Sequence, residues 1–306
     1  MSDAPGAASF FQPRILLPFT LVTLIWGSTW LVIRDQIGGD VPPGWSVTWR
    51  FLLAGSAMLA LAAVSRQPLR LGREAWPLVA GMALFQFVGN FQFVYRAELH
   101  LTSGIVAVLF ALLMVPNALF ARAFLGQRVT TGFLAGSAVA LGGIALLLAH
   151  EYRIAPPEGK VALGVALTAG GILSASAANV LQATERARAL PMFSVLAWSM
   201  LLGAALDAAL AWVMSGPPRF EARWSYAAGV GYLAILGSVV TFPIYFKLVR
   251  ELGPGRAAYN GVVVPIVAML LSTLFEGYRW TVLAITGSVI ALAGLVIALK
   301  ARSPSR

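Results

Sequence analysis

The stretch Gly126-Gln-Arg-Val-Thr130 returns as Gly277-Tyr-Arg-Trp-Thr281, 151 residues further along the chain. The similarity extends beyond this turn, because residues 101–148 align without a gap on residues 252–299 and 14 of the 48 positions are identical, against about four expected by chance in so biased a composition. A weaker match at an offset of 148 joins residues 28–55 to residues 176–203. A chance match between helices rich in Gly, Ala and Leu is the alternative, but the turn is polar and still repeats. The sequence therefore predicts two copies of one structural unit.

The composition of the 306-residue chain is that of a membrane protein. Only 11% of its residues are charged and 59% are hydrophobic, whereas soluble proteins carry about 25% charged residues. In a soluble protein the net charge of +10 would indicate a nucleic-acid partner. Here the basic residues stand in short clusters between long apolar stretches, as they do in multi-pass membrane proteins. We therefore expect this chain to lie in a lipid bilayer and to bind no nucleic acid.

Ten stretches are long and apolar enough to cross a bilayer, since one helical crossing needs about 20 apolar residues. They lie at about 14–34, 45–65, 75–95, 102–124, 130–149, 161–184, 193–214, 225–249, 255–275 and 280–299. The connections are short and leave no room for a soluble domain. The first stretch lacks a small-residue cleavage site, so we interpret it as the first helix and not as a signal peptide. The predicted fold class is an all-α integral membrane protein with ten transmembrane helices.

Lysine and arginine are unevenly divided between the two ends of these helices. The side that holds both termini carries 14 of them and the opposite side carries 7. Because basic connections stay in the cytoplasm, we expect both termini to be cytoplasmic.

A unit of five helices crosses the membrane an odd number of times, so its second copy must enter from the opposite side. We predict a first repeat at residues 1–149 (helices 1–5), a linker at 150–160 and an inverted second repeat at 161–300 (helices 6–10). Inverted repeats are typical of secondary transporters, which bind substrate near the membrane midplane between the halves.

Small residues and prolines occupy matching helices of the two repeats. The motifs Gly136-x-x-x-Ala140 and Gly287-x-x-x-Ala291 allow close backbone contact in lipid. Helices 5 and 10 are therefore expected to form either a scaffold contact within the chain or a dimer contact, in a monomer or weak dimer. Pro116 and Pro265 each remove a hydrogen bond in the middle of helices 4 and 9. We interpret them as candidate gating hinges, although prolines are also common in membrane helices without that role.

The segment Trp26-Gly27-Ser28-Thr29-Trp30, followed by Pro42-Pro43 and Arg50-Phe51, resembles the opening of EamA-type transporters of the drug/metabolite transporter superfamily. Helices 4 and 9, each closed by Gly-x-Arg-x-Thr and followed by a glycine-rich helix, are similar to the repeat of that family. The resemblance covers nearly the whole chain and rests on the order of short motifs. Gln127 departs from the pattern, because the family often has Glu there. Within the superfamily the chain looks most like the aromatic amino acid exporters of bacterial inner membranes.

This resemblance implies a secondary transporter of the bacterial inner membrane that exports small amphipathic metabolites by alternating access. Aromatic and other large apolar amino acids are the expected substrates. Other metabolites or drugs, such as nucleosides and amphipathic cations, are the alternative.

An intramembrane enzyme or a channel is less favoured. An enzyme needs a nucleophile and base, a metal cluster or a pair of catalytic carboxylates. The sequence has no cysteine, only two histidines, both near connections, and no zinc-binding or ATP-binding motif. A channel would line its pore with rings of charge, and no such ring is visible. We therefore expect no catalytic residue, no metal and no cofactor.

Helix 3 contains the most unusual segment, Phe85–Tyr95, in which amides alternate with aromatic rings. Gln86 and Asn90 share one face at i, i+4 spacing, and Phe91 runs beside it. Amides at membrane depth are costly to leave without partners, so these should face a cavity or another helix. Such a strip suits a zwitterionic amino acid with a large apolar side chain. The alternative is that the amides only join helices.

Further substrate contacts are expected from polar and aromatic residues in helices that would surround the pseudo-twofold axis. These candidates are Trp26, Ser28, Trp30, Asn179, Tyr259 and Asn260. The tryptophans nearer helix ends are interpreted as anchors at the membrane interface.

Asp207 in helix 7 is the ionisable residue that lies deepest between apolar neighbours. A proton-driven transporter needs a buried acid, so Asp207 is the candidate coupling residue. The alternative is that it pairs locally or faces the interface, and that transport is facilitative. Arg50 and Glu276 lie near helix ends, where their charges are expected to reach the membrane interface.

Overall fold

The computed structural model describes residues 13–154, 160–245, 247–248 and 260–301, which contain long helices and no β-strand. We number the long helices α1 to α10 in chain order. They are α1 Pro13–Ile37, α2 Pro43–Val64, α3 Arg73–Ala97, α4 Ser103–Leu125, α5 Thr131–Ile154, α6 Val161–Ala183, α7 Met192–Ser215, α8 Trp224–Tyr245, α9 Asn260–Phe275 and α10 Val282–Lys300. A short helix, Glu185–Ala189, lies between α6 and α7.

Nine helices in the described ranges, all of these except α9, are long and apolar enough to cross a membrane. The described part of α9 has 16 residues and is also apolar. The prediction of an all-α membrane protein is confirmed for the described ranges, and ten crossings stay a prediction.

The repeated turn that opened the sequence analysis has the same backbone structure in both places. Gly126 and Gly277 have φ angles of 66° and 68°, in the left-handed region that glycine adopts without steric cost. Each turn carries the same backbone hydrogen bond, which closes the preceding helix. These bonds join the nitrogen of Gln127 to the oxygen of Ala121 at 3.2 Å and the nitrogen of Tyr278 to the oxygen of Ser272 at 3.3 Å.

The threonine of each turn begins the next helix. Thr130 Oγ1 accepts a hydrogen bond from the backbone nitrogen of Phe133 at 3.1 Å. Thr281 Oγ1 accepts one from the backbone nitrogen of Ala284 at 3.2 Å. A threonine before a helix stabilises it in this way by satisfying a free N–H group of the first turn. The Gly-x-Arg-x-Thr motif is thus a helix stop followed by a helix start.

Helices α5 and α10 pack backbone to backbone through their glycines. A Cβ atom on Gly136 would lie 2.3 Å from the nitrogen of Ala298, and one on Gly143 would lie 2.2 Å from the nitrogen of Ala291. The contact moves toward the C-terminus of α5 from Gly136 to Gly143 and toward the N-terminus of α10 from Ala298 to Ala291, so the two helices are antiparallel. The glycine faces of α5 and α10 therefore contact each other within one chain. Of the two alternatives expected from the sequence, this is the scaffold contact and not the dimer contact.

Helices α2 and α7 form a second antiparallel pair. A Cβ atom on Gly44, at the start of α2, would lie 3.0 Å from the Cβ of Ala211, late in α7. A Cβ atom on Gly55, further along α2, would lie 2.8 Å from Leu201, nearer the start of α7. Small residues again permit the close approach of two helices in lipid.

The two mid-helix prolines have different surroundings. In α4, Pro116 follows a tight 3₁₀ turn, Ala111–Leu113, that interrupts the α-helix. Pro265 lies inside the described part of α9, which is a regular α-helix. A proline removes one backbone hydrogen bond in either place, and the irregular turn is found beside Pro116 alone in the described ranges.

Candidate transport site

Two wide π-helical segments lie inside α3 and α8. They span Ala83–Asn90 and Ile235–Val240. Residues 84–89 fall on residues 235–240 at the offset of 151 and on residues 232–237 at the offset of 148, so the two segments overlap at either offset of the repeat. Segments of this kind often mark functional sites, and neither was predicted from the sequence.

Serine side chains bond one backbone oxygen in the first π segment and one just before the second. Ser174 of α6 donates a hydrogen bond to the oxygen of Phe85 at 2.9 Å. Ser238 of α8 donates one to the oxygen of Leu233, five residues earlier, at 2.9 Å. A backbone oxygen left without a partner in lipid is costly, so these bonds help to keep the wide turns.

The predicted amides of α3 lie in its π segment. Gln86 and Asn90 are both buried, and the Asn90 Oδ1 atom has no hydrogen-bond partner in the structure. Phe91, the next residue, is partly buried and lies against Phe51 of α2, with 4.7 Å between ring centroids. An unpaired acceptor next to an aromatic ring is a suitable arrangement for an amphipathic ligand.

Aromatic rings of α1, α8, α3 and α2 form one connected set. We call the five rings of Trp26, Phe242, Phe87, Phe51 and Phe91 the aromatic path. Neighbouring ring centroids along the path lie 5.9, 6.2, 5.0 and 4.7 Å apart, with the rings mostly edge to face. Two predicted residues, Trp26 and Phe91, are thus the ends of one connected set.

The three predicted residues of α1 contact α8 and α4. Trp26 Nε1 donates a hydrogen bond to Thr241 Oγ1 at 2.9 Å. Ser28 Oγ lies 2.6 Å from the hydroxyl of Tyr232. Trp30 packs against Phe110 at 5.2 Å, and its Nε1 atom is buried without a hydrogen-bond partner.

Two predicted asparagines join pairs of helices by side-chain hydrogen bonds. Asn179 of α6 donates a hydrogen bond to Asn117 of α4 at 3.3 Å. Asn260 of α9 donates one to Thr23 of α1 at 2.8 Å. These contacts are those expected if the asparagines join helices, the alternative raised for amides in lipid. Tyr259 lies outside the described residues.

Asp207 is buried in α7 and has a local partner. Its Oδ1 atom accepts a hydrogen bond from Gln92 Nε2 of α3 at 2.7 Å, whereas its Oδ2 atom has none. Gln92 in turn accepts a hydrogen bond from Arg96. A polar chain therefore leads from Asp207 to the end of α3.

Arg50 corrects the expectation that its charge reaches the membrane interface. Only 2% of the residue is exposed. Its guanidinium lies over the ring of Phe91, 4.4 Å from the centroid, and 5.3 Å from that of Phe51. The sequence carried a weak signal, since Arg50 stands seven residues inside α2, which is more than one turn from the helix end.

Glu276, which directly follows α9, has partners within the protein. Its side chain is 9% exposed and lies 3.7 Å from Arg34 Nε, and it accepts a hydrogen bond from Ser103 Oγ at 2.6 Å. Glu98, in the connection after α3, is fully buried, and both its carboxylate oxygens lack a hydrogen-bond partner. We call Arg34, Glu98, Ser103 and Glu276 the Glu98 cluster.

Burial raises the pKa of Glu98 well above its ordinary value, and the neighbouring Glu276 raises it further, while Arg34 opposes the shift. The sequence analysis missed Glu98 because a residue in a short connection is normally exposed. A second buried acid is therefore present besides Asp207.

The matches to known proteins follow the two halves of the chain. The model of the EamA-like transporter family matches residues 14–149 and again residues 162–300. The chain belongs to this family. It is therefore a transporter and not an enzyme, as the resemblance implied.

Two curated relatives of this EamA-like transporter are membrane transporters. The uncharacterized inner membrane transporter YedA of Escherichia coli is 27% identical over 279 residues, which are 89% of this chain and 88% of YedA. A probable terminal-alkyne amino-acid exporter of Streptantibioticus cattleyicolor is 26% identical over 287 residues, 92% of this chain and 91% of the exporter. The localisation to the inner membrane as a multi-pass protein is confirmed.

A crystal structure shares the fold of this transporter. It superposes with a TM-score of 0.66 at 19% sequence identity and covers 93% of this chain and 97% of the other. At this identity the likeness concerns the fold alone.

Proposed function

We propose that this EamA-like transporter exports amino acids, with aromatic and other large apolar ones as its preferred substrates. The observation that carries the proposal is the aromatic path, which runs through α1, α8, α3 and α2 beside the π segments of α3 and α8. Edge-to-face contacts at these distances favour a further aromatic ring.

The polar atoms near the path suit the other part of an amino acid. Asn90 Oδ1 and Trp30 Nε1 are one acceptor and one donor, both buried and without a hydrogen-bond partner. Buried polar groups normally have partners, so a ligand with an ammonium and a carboxylate would satisfy both. The relative named as a probable amino-acid exporter supports the same substrate class.

We further propose that transport proceeds by alternating access between two inverted five-helix repeats, residues 1–149 and 161–300, with ten crossings and both termini in the cytoplasm. The antiparallel packing of α5 on α10 and of α2 on α7 supports this arrangement. Pro116 and Pro265 are the proposed hinges, and Asp207 is the proposed coupling residue.

The orientation can be tested by labelling, because the chain has no cysteine. Ser65→Cys, after α2, and Ala222→Cys, before α8, place one exposed thiol on each predicted side. An impermeant maleimide should label the Ala222→Cys variant in intact cells and the Ser65→Cys variant only after lysis. The reverse pattern would contradict cytoplasmic termini.

The substrate class can be tested by counterflow in proteoliposomes. Vesicles loaded with unlabelled L-phenylalanine should take up labelled L-phenylalanine, and tryptophan, tyrosine and leucine should compete more strongly than nucleosides or amphipathic cations. Saturable flux of a nucleoside or a cation, with no amino acid competing, would show that the proposed substrate class is wrong.

The role of the α3 amide can be tested in the same assay. Asn90→Ala should weaken transport without lowering expression, because it removes a buried acceptor next to the aromatic path. Ser56→Ala is a matched control, since Ser56 lies exposed on α2 and bonds only its own helix. An unchanged KM in Asn90→Ala would remove Asn90 from the site.

A further inference from the structure

Arg50 is a buried cation for which the structure shows no acidic partner. It lies 2% exposed in α2, and the ion pairs found in the described ranges involve Arg34 and Arg223. An isolated charge at membrane depth is costly, and residues that keep one usually have a functional role. The fold alone therefore does not explain why a charged residue is buried at this position of α2.

The contacts of Arg50 leave part of its guanidinium unused. Its Nη2 atom lies 3.4 Å from Ser238 Oγ in the π segment of α8, a long hydrogen bond. The Nε and Nη1 atoms are buried and make no hydrogen bond of normal geometry. The hydroxyl of Tyr95 in α3 is the nearby polar group, and it interacts with the guanidinium electrostatically and as a weak hydrogen-bond partner. Phe91 supports one face of the guanidinium by a cation–π contact. Such a contact orients the group but bonds neither Nε nor Nη1.

The π segment of α8 makes room for this group. A Cβ atom on Gly237 would lie 3.5 Å from Arg50 Nη2 and 3.1 Å from Thr29 of α1. The glycine thus allows the backbone of α8 to approach the guanidinium between α1 and α2. The Arg50 side chain lies where α1, α3 and α8 meet, and two of these helices, α1 and α3, carry predicted substrate contacts. The aromatic path also ends here, at Phe91.

We propose that Arg50 binds the carboxylate of the transported molecule, and that the substrates of this protein are monocarboxylates with an apolar body. Arginine presents parallel N–H donors that match the two oxygens of a carboxylate. One arginine supplies one positive charge, which suits a monoanionic group rather than a phosphate. The inference rests on the proposed export of amino acids and adds the group that is recognised.

The consequence is a stronger selectivity for a carboxylate than the neutral Trp30 donor alone would produce. Phenethylamine and phenylalaninamide keep the ring and the amine of phenylalanine but lack its carboxylate. Hydrocinnamate keeps the ring and the carboxylate but lacks the amine. A site built on Arg50 binds hydrocinnamate and rejects both carboxylate-free compounds, so amphipathic cations are poor substrates.

The test is competition against labelled L-phenylalanine counterflow in proteoliposomes of the full chain. In the wild type, hydrocinnamate should compete at least about tenfold better than phenethylamine, since hydrogen bonds to a charged group contribute about 1.5–3 kcal/mol. Arg50→Gln should lose this preference, and Arg50→Lys should keep it with a higher KM. Arg70→Gln, which removes an exposed arginine, should behave as the wild type.

Each outcome separates the two proposals. If the wild type transports phenylalanine and is inhibited equally by phenethylamine and hydrocinnamate, the Arg50 proposal is wrong and amino-acid export stands. If the wild type carries labelled hydrocinnamate but no amino acid, export of amino acids is wrong and carboxylate binding stands. An Arg50→Gln protein that is monodisperse and keeps wild-type selectivity overturns the role of Arg50. If the Arg50→Gln variant does not fold, the wild-type competition and the Arg50→Lys variant test the proposal instead. In that case, wild-type selectivity with an unchanged KM in Arg50→Lys overturns the role of Arg50.

Discussion

Gly143 of α5 lies so close to Ala291 of α10 that a Cβ atom on the glycine would be 2.2 Å from the alanine nitrogen. The adjacent Gly142 has nothing within 4 Å of the same position. Gly143→Ala should therefore push two backbones apart and lower stability by about 1–3 kcal/mol, as overpacking does. Thermal unfolding in detergent measures the effect.

Gly142→Ala is the matched control, because alanine is the better helix former by about 0.5–1 kcal/mol. This variant should unfold at the wild-type temperature or slightly above it. Equal destabilisation by both substitutions would show that backbone contact with α10 is not what Gly143 provides.

The hydrogen bond from Trp26 to Thr241 can be tested by a double-mutant cycle. Trp26→Phe keeps an aromatic ring and removes the donor, which should raise the KM for phenylalanine by up to about tenfold. Thr241→Val leaves the indole N–H without its partner and should cost at least as much. The double variant should lose less than the sum of the two changes, and strict additivity would contradict a direct contribution of this bond to transport.

The parts of the structure that depend on neighbours along the chain could be predicted from the sequence. The helix limits follow from the length of apolar stretches. The repeated turn follows from a glycine that adopts a positive φ and a threonine that caps the next helix, at Gly126 and Thr130 and at their repeats.

The parts that depend on contacts between helices could not be predicted in the same way. Helical spacing indicates which residues share a face, but not which helix that face meets. Trp26 and Phe91 proved to be ends of one aromatic path, whereas Asn179 and Asn260 join other pairs of helices. The burial of Arg50 needs α1, α3 and α8 around it. Its position inside α2 gave a weak signal of burial but did not indicate which helices surround it.

The raised pKa of Glu98 should make the stability of the protein depend on pH. Its pKa is raised in the folded protein, so the unfolded chain releases this proton at a lower pH than the folded one. Folding therefore loses stability as pH rises from the unfolded pKa toward the folded pKa, and the loss is constant above it. Glu98→Gln should raise the Tm at pH 8 more than at pH 5, by about 2–4 °C for each kcal/mol of penalty removed.

The control for this experiment is Glu74→Gln, which changes an exposed carboxylate in α3. It should leave the Tm nearly unchanged at both pH values. A gain in Glu98→Gln that is the same at pH 5 and pH 8 would show that the carboxylate is not the cause.

The variant Asp207→Asn tests whether Asp207 carries the coupling proton or only pairs with Gln92. Asparagine keeps the oxygen that accepts from Gln92, so the variant should fold and should keep phenylalanine counterflow, which needs no driving force. If Asp207 carries the coupling proton, uphill accumulation driven by an imposed pH gradient should disappear in this variant.

Glu98→Gln, assayed in parallel, removes the other buried acid. Accumulation that survives in Asp207→Asn but is lost in Glu98→Gln would assign coupling to the Glu98 cluster, and a wild type that ignores the gradient would exclude proton coupling by either acid.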